Sequence, residues 1–180
     1  MTDAAFEAFV RTHQHMVFAT AARLLGNPTE AEDVAQTVFL KAFERFHEIG
    51  ASDTATAWLR TVTRNLCLNH LSRYRSRWRL FSELRGTASD EDEAYEASLV
   101  ADTTAPGAAL DAAERHEQLE QALRRLPAHQ RVPLVLFHFE QASYEEIAVT
   151  LGASVSKVKT DIHRGRHALR KHLAADDGTR

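Results

Sequence analysis

Apolar residues recur at three- and four-residue steps along most of this chain, and no stretch alternates apolar with polar residues over the length of a strand. One apolar stripe covers residues 6–25 and stops at a Gly-Asn-Pro sequence, residues 26–28, which is typical of a helix end. A second stripe covers residues 31–46, and a third covers residues 58–71. The pattern therefore predicts an all-α protein in which each helix buries one face.

Individual residues predict where some helices begin and end. Thr29 and Glu32 have the spacing of a capping box, in which a hydroxyl and a carboxylate satisfy free amides of the first turn. Ser143 and Glu146 repeat that spacing near the C-terminus. Farther along, Gly152 suits the left-handed position that commonly follows a helix.

The last two predicted helices have the features of a helix-turn-helix. Small Ala148 suits a close helix crossing, Gly152 falls in the tight turn, and Ser154 can cap the second helix. That helix places its apolar residues on one face and leaves a polar and basic face outward. The outward candidates for contact with duplex DNA are Ser154, Ser156, Lys157, Lys159, Thr160, His163, Arg164 and Arg166. The alternative is an ordinary helical hairpin with a solvated basic face.

Charge is strongly segregated along the chain, although the net charge is only −3. Residues 54–82 contain six arginines and no acidic residue, residues 83–120 contain eleven acidic residues, and residues 152–173 contain six lysines and arginines against one aspartate. Two basic segments thus flank an acidic one. This arrangement is expected for a chain that meets nucleic acid at two separate places.

The sequence predicts two small helical domains joined by a flexible acidic linker. Residues 83–111 are poor in large apolar side chains and rich in acid, alanine and serine, so they are interpreted as the linker. The first domain then covers residues 1–82 and the second, with the helix-turn-helix, covers residues 112–175. Residues 176–180 are expected to be a disordered tail.

Several classes of function find no support in the residues. The single cysteine, Cys67, excludes a disulfide framework within one chain, and the ten histidines show no metal-ligand spacing. A glycine-rich phosphate loop and a nucleophile beside a convincing base are both missing. We therefore expect no enzymatic activity, no cofactor and no metal. The absence of a signal pattern or an apolar run of about 20 residues predicts a soluble cytoplasmic protein.

Three segments in order resemble the extracytoplasmic-function (ECF) sigma factors of bacterial RNA polymerase. AEDVAQTVFLKAF, residues 31–43, resembles the family's polymerase-binding helix. AWLRTVTRNLCLNHLSRYRSR, residues 57–77, resembles its promoter-melting helix. Residues 123–173, which begin LRRLPAHQRVPLVLFHFE and end HRGRHALRKHL, resemble its terminal DNA-binding domain.

The resemblance implies a role for each helical segment. The helix near Thr29 would dock on the coiled-coil clamp of the largest polymerase subunit through Asp33, Gln36, Thr37 and Leu40; the alternative is a solvated helix face. The next helix would recognise the minus-ten element, while residues 47–56 hold an unstacked base of the non-template strand. Its candidate DNA contacts are Arg60, Arg64, Asn65, Asn69, Arg73, Tyr74 and Arg77. Trp58, Asn65 and Cys67 are equally compatible with core or capping roles, and for Trp58 we favour the core.

The resemblance also implies partners. These are polymerase core, through its clamp and flap region, promoter DNA, and an anti-sigma protein, without membrane insertion. The two promoter elements would lie one and a half to two helical turns apart, or about 50–70 Å at ~34–36 Å per turn. The linker would pass through polymerase toward the RNA exit path. Its acidic run, residues 90–93, could imitate nucleic acid there or could be a simple tether.

The chain departs from the family pattern at several positions. Family members usually have Asp, Gly, Thr, Arg and Ala where this chain has Asn69, Gln141, Lys157, Asp161 and Gly165. Asp161 on a DNA-facing surface would repel phosphates or accept a hydrogen bond from cytosine N4. An unusual promoter sequence is therefore expected. Separately, a proline at position 133 predicts a kink or a helix start.

Two other functions are compatible with parts of the sequence. A stand-alone helix-turn-helix regulator would use the C-terminal pair on palindromic sites, but it leaves the first basic segment unexplained. An adaptor that binds an acidic protein would explain the basic helix pair without DNA, but it requires the arginine-rich middle helix to be coincidental. Run-off transcription and the salt dependence of DNA binding distinguish these alternatives from a sigma factor.

Overall fold

The computed structural model describes the backbone of residues 3–84 and 108–177 and the side chains of residues 3–72 and 112–175. Within these ranges the chain forms helices and no strand, which confirms the all-α prediction. The helices are α1 Asp3–Leu25, α2 Pro28–Glu44, α3 Phe46–Ile49, α4 Ala55–Leu84, α5 Ala108–Arg125, α6 Ala128–His138, α7 Tyr144–Leu151 and α8 Val155–Asp177.

The predicted linker and tail lie largely outside the described residues. Residues 85–107 of the predicted linker and residues 178–180 of the predicted tail are outside the described residues. At the edges of the linker, the backbone of α4 is helical to Leu84, and α5 begins at Ala108. Both helices therefore extend into the segment that the sequence assigned to the linker.

In the first domain, α1 packs against α2 and α4, which also contact each other. Val17 and Leu24 of α1, Val38 of α2 and Leu59 of α4 are completely buried between them. Full burial of a side chain of this size stabilises a fold by roughly 1.5–3 kcal/mol. Trp58 is partly buried against the same core, as the sequence favoured.

The start of α2 differs from the prediction. The helix begins at Pro28, and the N-cap is Asn27, whose side-chain oxygen accepts a hydrogen bond from the Thr29 amide at 3.0 Å. The predicted capping box of Thr29 and Glu32 is therefore wrong. Proline is suited to the first helical position, because its φ is helical and it has no amide that needs an acceptor. The residue before Pro28, Asn27, is therefore the N-cap.

The second domain is built around α8, which packs against α5, α6 and α7. Its capping box is present as predicted. The Ser143 amide donates to Glu146 Oε2 at 2.8 Å, and the Glu146 amide donates to Ser143 Oγ at 3.2 Å. Gly152 ends α7 with φ of 64°, the left-handed conformation that was predicted.

Two unusual residues allow α6 and α8 to pack closely. Helix α6 begins at Ala128 and continues through the buried Pro133, so the helix does not start at the proline. Gly165 of α8 is buried opposite; a Cβ there would lie 3.0 Å from Leu134 Cδ1 and 3.2 Å from the Gln130 carbonyl oxygen. The glycine therefore permits a helix contact that alanine would make tight.

Candidate nucleic-acid interface

The predicted contact residues of the helix-turn-helix lie along the outer face of α8 and at its cap. Ser154 is the residue immediately before α8. Its hydroxyl oxygen accepts a hydrogen bond from the Lys157 amide at 3.2 Å and so caps the helix. Lys157 and Arg166 are partly buried. The exposed members of the set are Ser154, Ser156, Lys159, Thr160, His163 and Arg164. Short polar groups thus lie near the N-terminus of the helix, with cations on the same exposed side.

Aromatic residues of α6 and α7 support two of these cations. The ammonium of Lys159 lies 5.5 Å from the ring centroid of Tyr144, and the guanidinium of Arg166 lies 5.5 Å from that of Phe137. The two rings stack on each other with centroids 4.7 Å apart. Cation–π contacts of this kind restrict flexible side chains at modest gain in stability. Sequence reasoning missed both rings, because only the fold brings them beside α8.

Arg166 is also held by a histidine. Its Nε donates a hydrogen bond to His138 Nε2 at 3.1 Å, so the imidazole accepts in its neutral form. Desolvation, followed by the nearby Arg166 charge, lowers the pKa of His138. The arginine is therefore oriented by a group that changes its hydrogen bonding when it becomes protonated.

Asp161 does not lie on the exposed face of α8, so the condition under which it would repel phosphates or contact a base is not met. It is only 4% exposed, and both of its carboxylate oxygens accept hydrogen bonds from the Lys157 ammonium, at 2.8 and 3.0 Å. The one-turn separation of the two residues along a helix allows this pairing. Asp161 therefore neutralises Lys157 from within, rather than facing phosphates or bases.

The candidate minus-ten residues divide between two faces of α4. At 100° per residue, Arg60 and Arg64 share one face, whereas Asn65 and Asn69 share another. Arg60, Asn65 and Asn69 are exposed and Arg64 is partly buried. The side chains of Arg73, Tyr74 and Arg77 lie outside the described residues. Cys67 is completely buried and belongs to the core.

The segment before α4 is ordered by its own hydroxyl groups. Residues 47–56, predicted to hold an unstacked base, include the end of α3 and the start of α4. Ser52 Oγ lies 2.7 Å from Thr54 Oγ1 and accepts a hydrogen bond from the Thr54 amide at 3.2 Å. The turn is therefore fixed locally while its side chains remain accessible.

The predicted polymerase-binding residues form an exposed face of α2. Asp33, Gln36, Thr37 and Leu40 are all exposed, and Leu40 is 66% exposed. Gln36 and Leu40 also line a groove between α1 and α2, together with Phe6, Val10, Phe18, Phe39 and Phe43. Contiguous exposed apolar surface is typical of a protein-binding site. The contribution of α1 to this groove was not predicted, because it depends on how the two helices pack.

A metal-binding cluster and a membrane-spanning helix are both absent from the described part of the chain. Among the side chains that the structure describes, no group of three or more histidine, cysteine, aspartate or glutamate residues could hold a metal ion. None of the described helices is both long and apolar enough to span a membrane.

Two family models match the chain, one in each domain. The family model for Sigma-70 region 2 matches residues 9–78, which include α2 and most of α4. The family model for Sigma-70, region 4 matches residues 116–169, which include the helix-turn-helix. A solved structure of the sigma factor RpoE in complex with the anti-sigma factor NepR from Bartonella quintana is similar over 95% of this chain and 98% of that chain, with a TM-score of 0.48 and 23% identity.

Curated relatives cover nearly the whole chain. The ECF RNA polymerase sigma factor SigW of Bacillus subtilis is 32% identical over 169 residues, covering 94% of this chain and 89% of that protein. The ECF RNA polymerase sigma factor SigE of Mycolicibacterium smegmatis is 35% identical, covering 94% and 62%. The RNA polymerase sigma-E factor of Streptomyces coelicolor is 32% identical, covering 96% and 88%. The chain therefore belongs to the sigma-70 family, among the ECF sigma factors of RNA polymerase.

Proposed function

We propose that this protein is a dissociable promoter-specificity subunit that binds RNA polymerase core and directs transcription initiation. The observation that supports it best is the presence, in one chain, of an exposed apolar groove at α2 and an exposed polar and basic face on α8. A stand-alone regulator needs only the second surface. Membership of the ECF group supplies a use for both.

In this proposal α8 reads the minus-thirty-five element as duplex DNA. The major groove, about 12 Å wide, admits one α-helix. Ser156 and Thr160 are short polar groups suited to base edges, whereas Lys159, Arg164 and Arg166 are suited to phosphates. Arg166 and Lys159 would enter with restricted conformations, because the rings of Phe137 and Tyr144 already hold them.

The first domain would capture the melted minus-ten element. Unstacking a base costs a few kcal/mol, and a basic surface with a base-binding pocket can offset that cost. Arg60 and Arg64 lie on the face suited to the phosphate backbone, while Asn65 and Asn69 have donors and acceptors suited to bases. Arg73, Tyr74 and Arg77 complete the proposed set.

Polymerase core would bind at α2, with Asp33, Gln36 and Thr37 making polar contacts beside the apolar groove. Leu40 would supply the central apolar contact, because it is the most exposed large apolar side chain lining that groove. The coiled-coil clamp and the flap region are the proposed sites on polymerase. An anti-sigma protein that covers these surfaces, and a cytoplasmic location, also belong to the proposal.

Run-off transcription with purified bacterial core polymerase and a genomic promoter library tests the proposed function. The protein should start transcripts from a defined set of promoters. If it starts none but still shifts duplex DNA, it is a stand-alone regulator. If it neither starts transcripts nor binds DNA with a steep salt dependence, the adaptor alternative is favoured.

A matched pair of variants tests the docking surface. Leu40→Asp should weaken binding to core polymerase at least tenfold, because it places a charge in the apolar contact. Ala8→Asp makes the same kind of change at an exposed position of α1 that does not line the groove, and it should bind as the wild type does. Equal binding by both variants would contradict the proposed site.

A further inference from the structure

Asp161 is an acidic residue among the buried apolar residues of α8. It is only 4% exposed, while Val158 one turn earlier and the neighbouring Ile162 are each 1% exposed. A buried ionised carboxylate is costly unless a cation or hydrogen-bond donors satisfy it. Lys157 supplies that cation from one turn earlier on the same helix. The position of the carboxylate therefore fixes the position of the lysine.

The ammonium of Lys157 keeps one hydrogen for a partner outside the protein. Its Nζ lies 3.0 Å from Oδ1 and 2.8 Å from Oδ2 of Asp161 and donates to both oxygens. An ammonium has three donors, so two of them are used in this pair. The side chain of Lys157 is 37% exposed, whereas that of Asp161 is 6% exposed. An incoming molecule can thus accept from the ammonium but cannot reach the carboxylate.

Lys157 also has a fixed place on the helix that would enter DNA. It lies in the first turn of α8, and its own amide donates to Ser154 Oγ at 3.2 Å. At about 100° per residue, Lys157 lies within about 60° of Thr160 and Arg164, which are both exposed. In a helix-turn-helix, residues near the N-terminus of the second helix contact base edges. The remaining donor of Lys157 is therefore placed where base edges would lie.

The chemistry of the pair favours a base over a phosphate. Lys157 and Asp161 together carry no net charge, so their attraction to the DNA backbone is weak compared with that of a lysine without a carboxylate partner. Guanine offers two acceptors in the major groove, N7 and O6, whereas cytosine offers the N4 donor. A cytosine would require the carboxylate, which is buried. A guanine is therefore the base that best suits the exposed donor.

We propose that Lys157 determines specificity for a guanine in the minus-thirty-five element and that Asp161 is its positioning residue. The proposal rests on the proposed function and deepens it, because it names a base-reading contact within the DNA-binding face of α8. The pair selects a base without adding a phosphate contact. Lys159, whose ammonium lies beside the ring of Tyr144, keeps the opposite role of binding phosphate.

Base preference measured with the holoenzyme tests the role of Lys157. One promoter from the run-off experiment is varied at every minus-thirty-five position, and the affinities of the variants are compared by competition. The wild type should prefer guanine at one position by about fivefold, the lower end of the range for a base contact. Lys157→Ala should lose the preference at that position and keep the others. A ratio of affinities for two DNAs does not depend on the folded fraction, so reduced stability does not affect this result.

Asp161→Asn tests the positioning role separately. The substitution keeps the shape of the side chain but removes the charge that holds the ammonium. Lys157 should then reach a phosphate, so the guanine preference should be lost and the slope of log K against log salt concentration should steepen by about 0.9. Lys159→Ala is the matched control, and it should keep the guanine preference while the slope becomes shallower. A merely structural role of the pair would weaken binding to every DNA equally.

Two results overturn the proposal. One is a uniform loss of affinity for all sequences in Lys157→Ala, and the other is an unchanged guanine preference in Asp161→Asn. If the wild type starts no transcripts with core polymerase, the proposed function fails instead. Selection of duplex DNA from a random library by the full-length protein alone then replaces the promoter series. Loss of a selected guanine in Lys157→Ala supports the contact there, whereas selection of no sequence by the wild type, or of the same sequence by both proteins, rejects it.

Discussion

Lys157 and Lys159 show how two similar residues on one helix acquire different roles. Both were expected to face DNA, and both are near the N-terminus of α8. The ammonium of Lys157 is bound by the buried carboxylate of Asp161, whereas that of Lys159 lies beside the ring of Tyr144. An ion pair satisfies a charge, but an aromatic face leaves most of it available. The two lysines should therefore differ in how many counterions they displace from DNA.

The salt dependence of DNA binding should separate these lysines. Each phosphate contact adds about 0.9 to the slope of log K against log salt concentration. Lys159→Ala should lower the slope by about that amount. Lys157→Ala combined with Asp161→Asn, which avoids a buried unpaired carboxylate, should leave the slope nearly unchanged. A loss of slope in the double variant would mean that Lys157 leaves Asp161 to contact phosphate.

His138 should make the second domain sensitive to acid. Its pKa in the folded protein lies below the ordinary value of 6.5, because of desolvation and the Arg166 charge. The unfolded chain therefore binds the proton more readily, and stability present above pH 6.5 should fall as the pH drops below it. Urea unfolding at pH 8 and pH 5.5 measures this fall. His138→Gln keeps a hydrogen-bond acceptor without the titration, so its stability should depend less on pH.

At the scale of single elements, the start of α2 is where two sequence signals indicated different N-cap residues. Asn27 and Thr29 are both good N-cap residues, and the sequence signature favoured Thr29 because of Glu32. The proline between them decided the outcome, since its ring fits only the first turn. Ser143 had no such competitor, and its capping box was predicted correctly.

Alanine substitutions at these caps should lower the free energy of unfolding. Asn27→Ala removes the oxygen that accepts from the Thr29 amide, and it should destabilise the protein by about 1 kcal/mol. Ser143→Ala should cost a similar amount in the second domain. Thr29→Ala is the matched control and should change stability by less than about 0.5 kcal/mol. If Thr29→Ala lowers stability more than Asn27→Ala does, Thr29 and not Asn27 is the N-cap in solution.

The helices and their buried faces were predictable because periodicity is a local property of the sequence. The α2 face and the α8 face followed in the same way. The burial of Asp161 was not predictable, because it depends on how α8 packs in the fold and not on the helical period alone. The rings of Phe137 and Tyr144 lay in apolar segments, and only tertiary packing shows that they support cations. Family resemblance supplied the roles of the faces, but none of these contacts.

For the whole molecule, the contact between domains was outside the reach of sequence analysis. Arg131 meets carbonyls more than 100 residues earlier in the chain, at separations of 106 and 107. Its position five residues after Leu126 suggested nothing beyond a basic residue in the helix. The segregation of charge into basic, acidic and basic segments described an extended chain. It did not show that basic Arg64 lies beside Glu140 and two glutamates of α7.

Among the described residues, Gly26 and Gly152 are the glycines with positive φ, and they test the contact between the domains without a change of charge. Gly26 and Gly152 have nearly the same backbone conformation, with φ of 69° and 64°. Alanine at either position should therefore cost roughly 1–2 kcal/mol in backbone strain. A Cβ at Gly152 would meet nothing within 4 Å, whereas one at Gly26 would overlap the guanidinium of Arg131.

Gly26→Ala and Gly152→Ala should therefore differ in their effect on the stability of the protein. Both variants should lose stability through backbone strain, but Gly26→Ala should lose more in urea unfolding, because its Cβ would also displace Arg131 from the carbonyl groups of Leu25 and Leu126. Equal losses of stability in the two variants would show that Arg131 can move aside without cost.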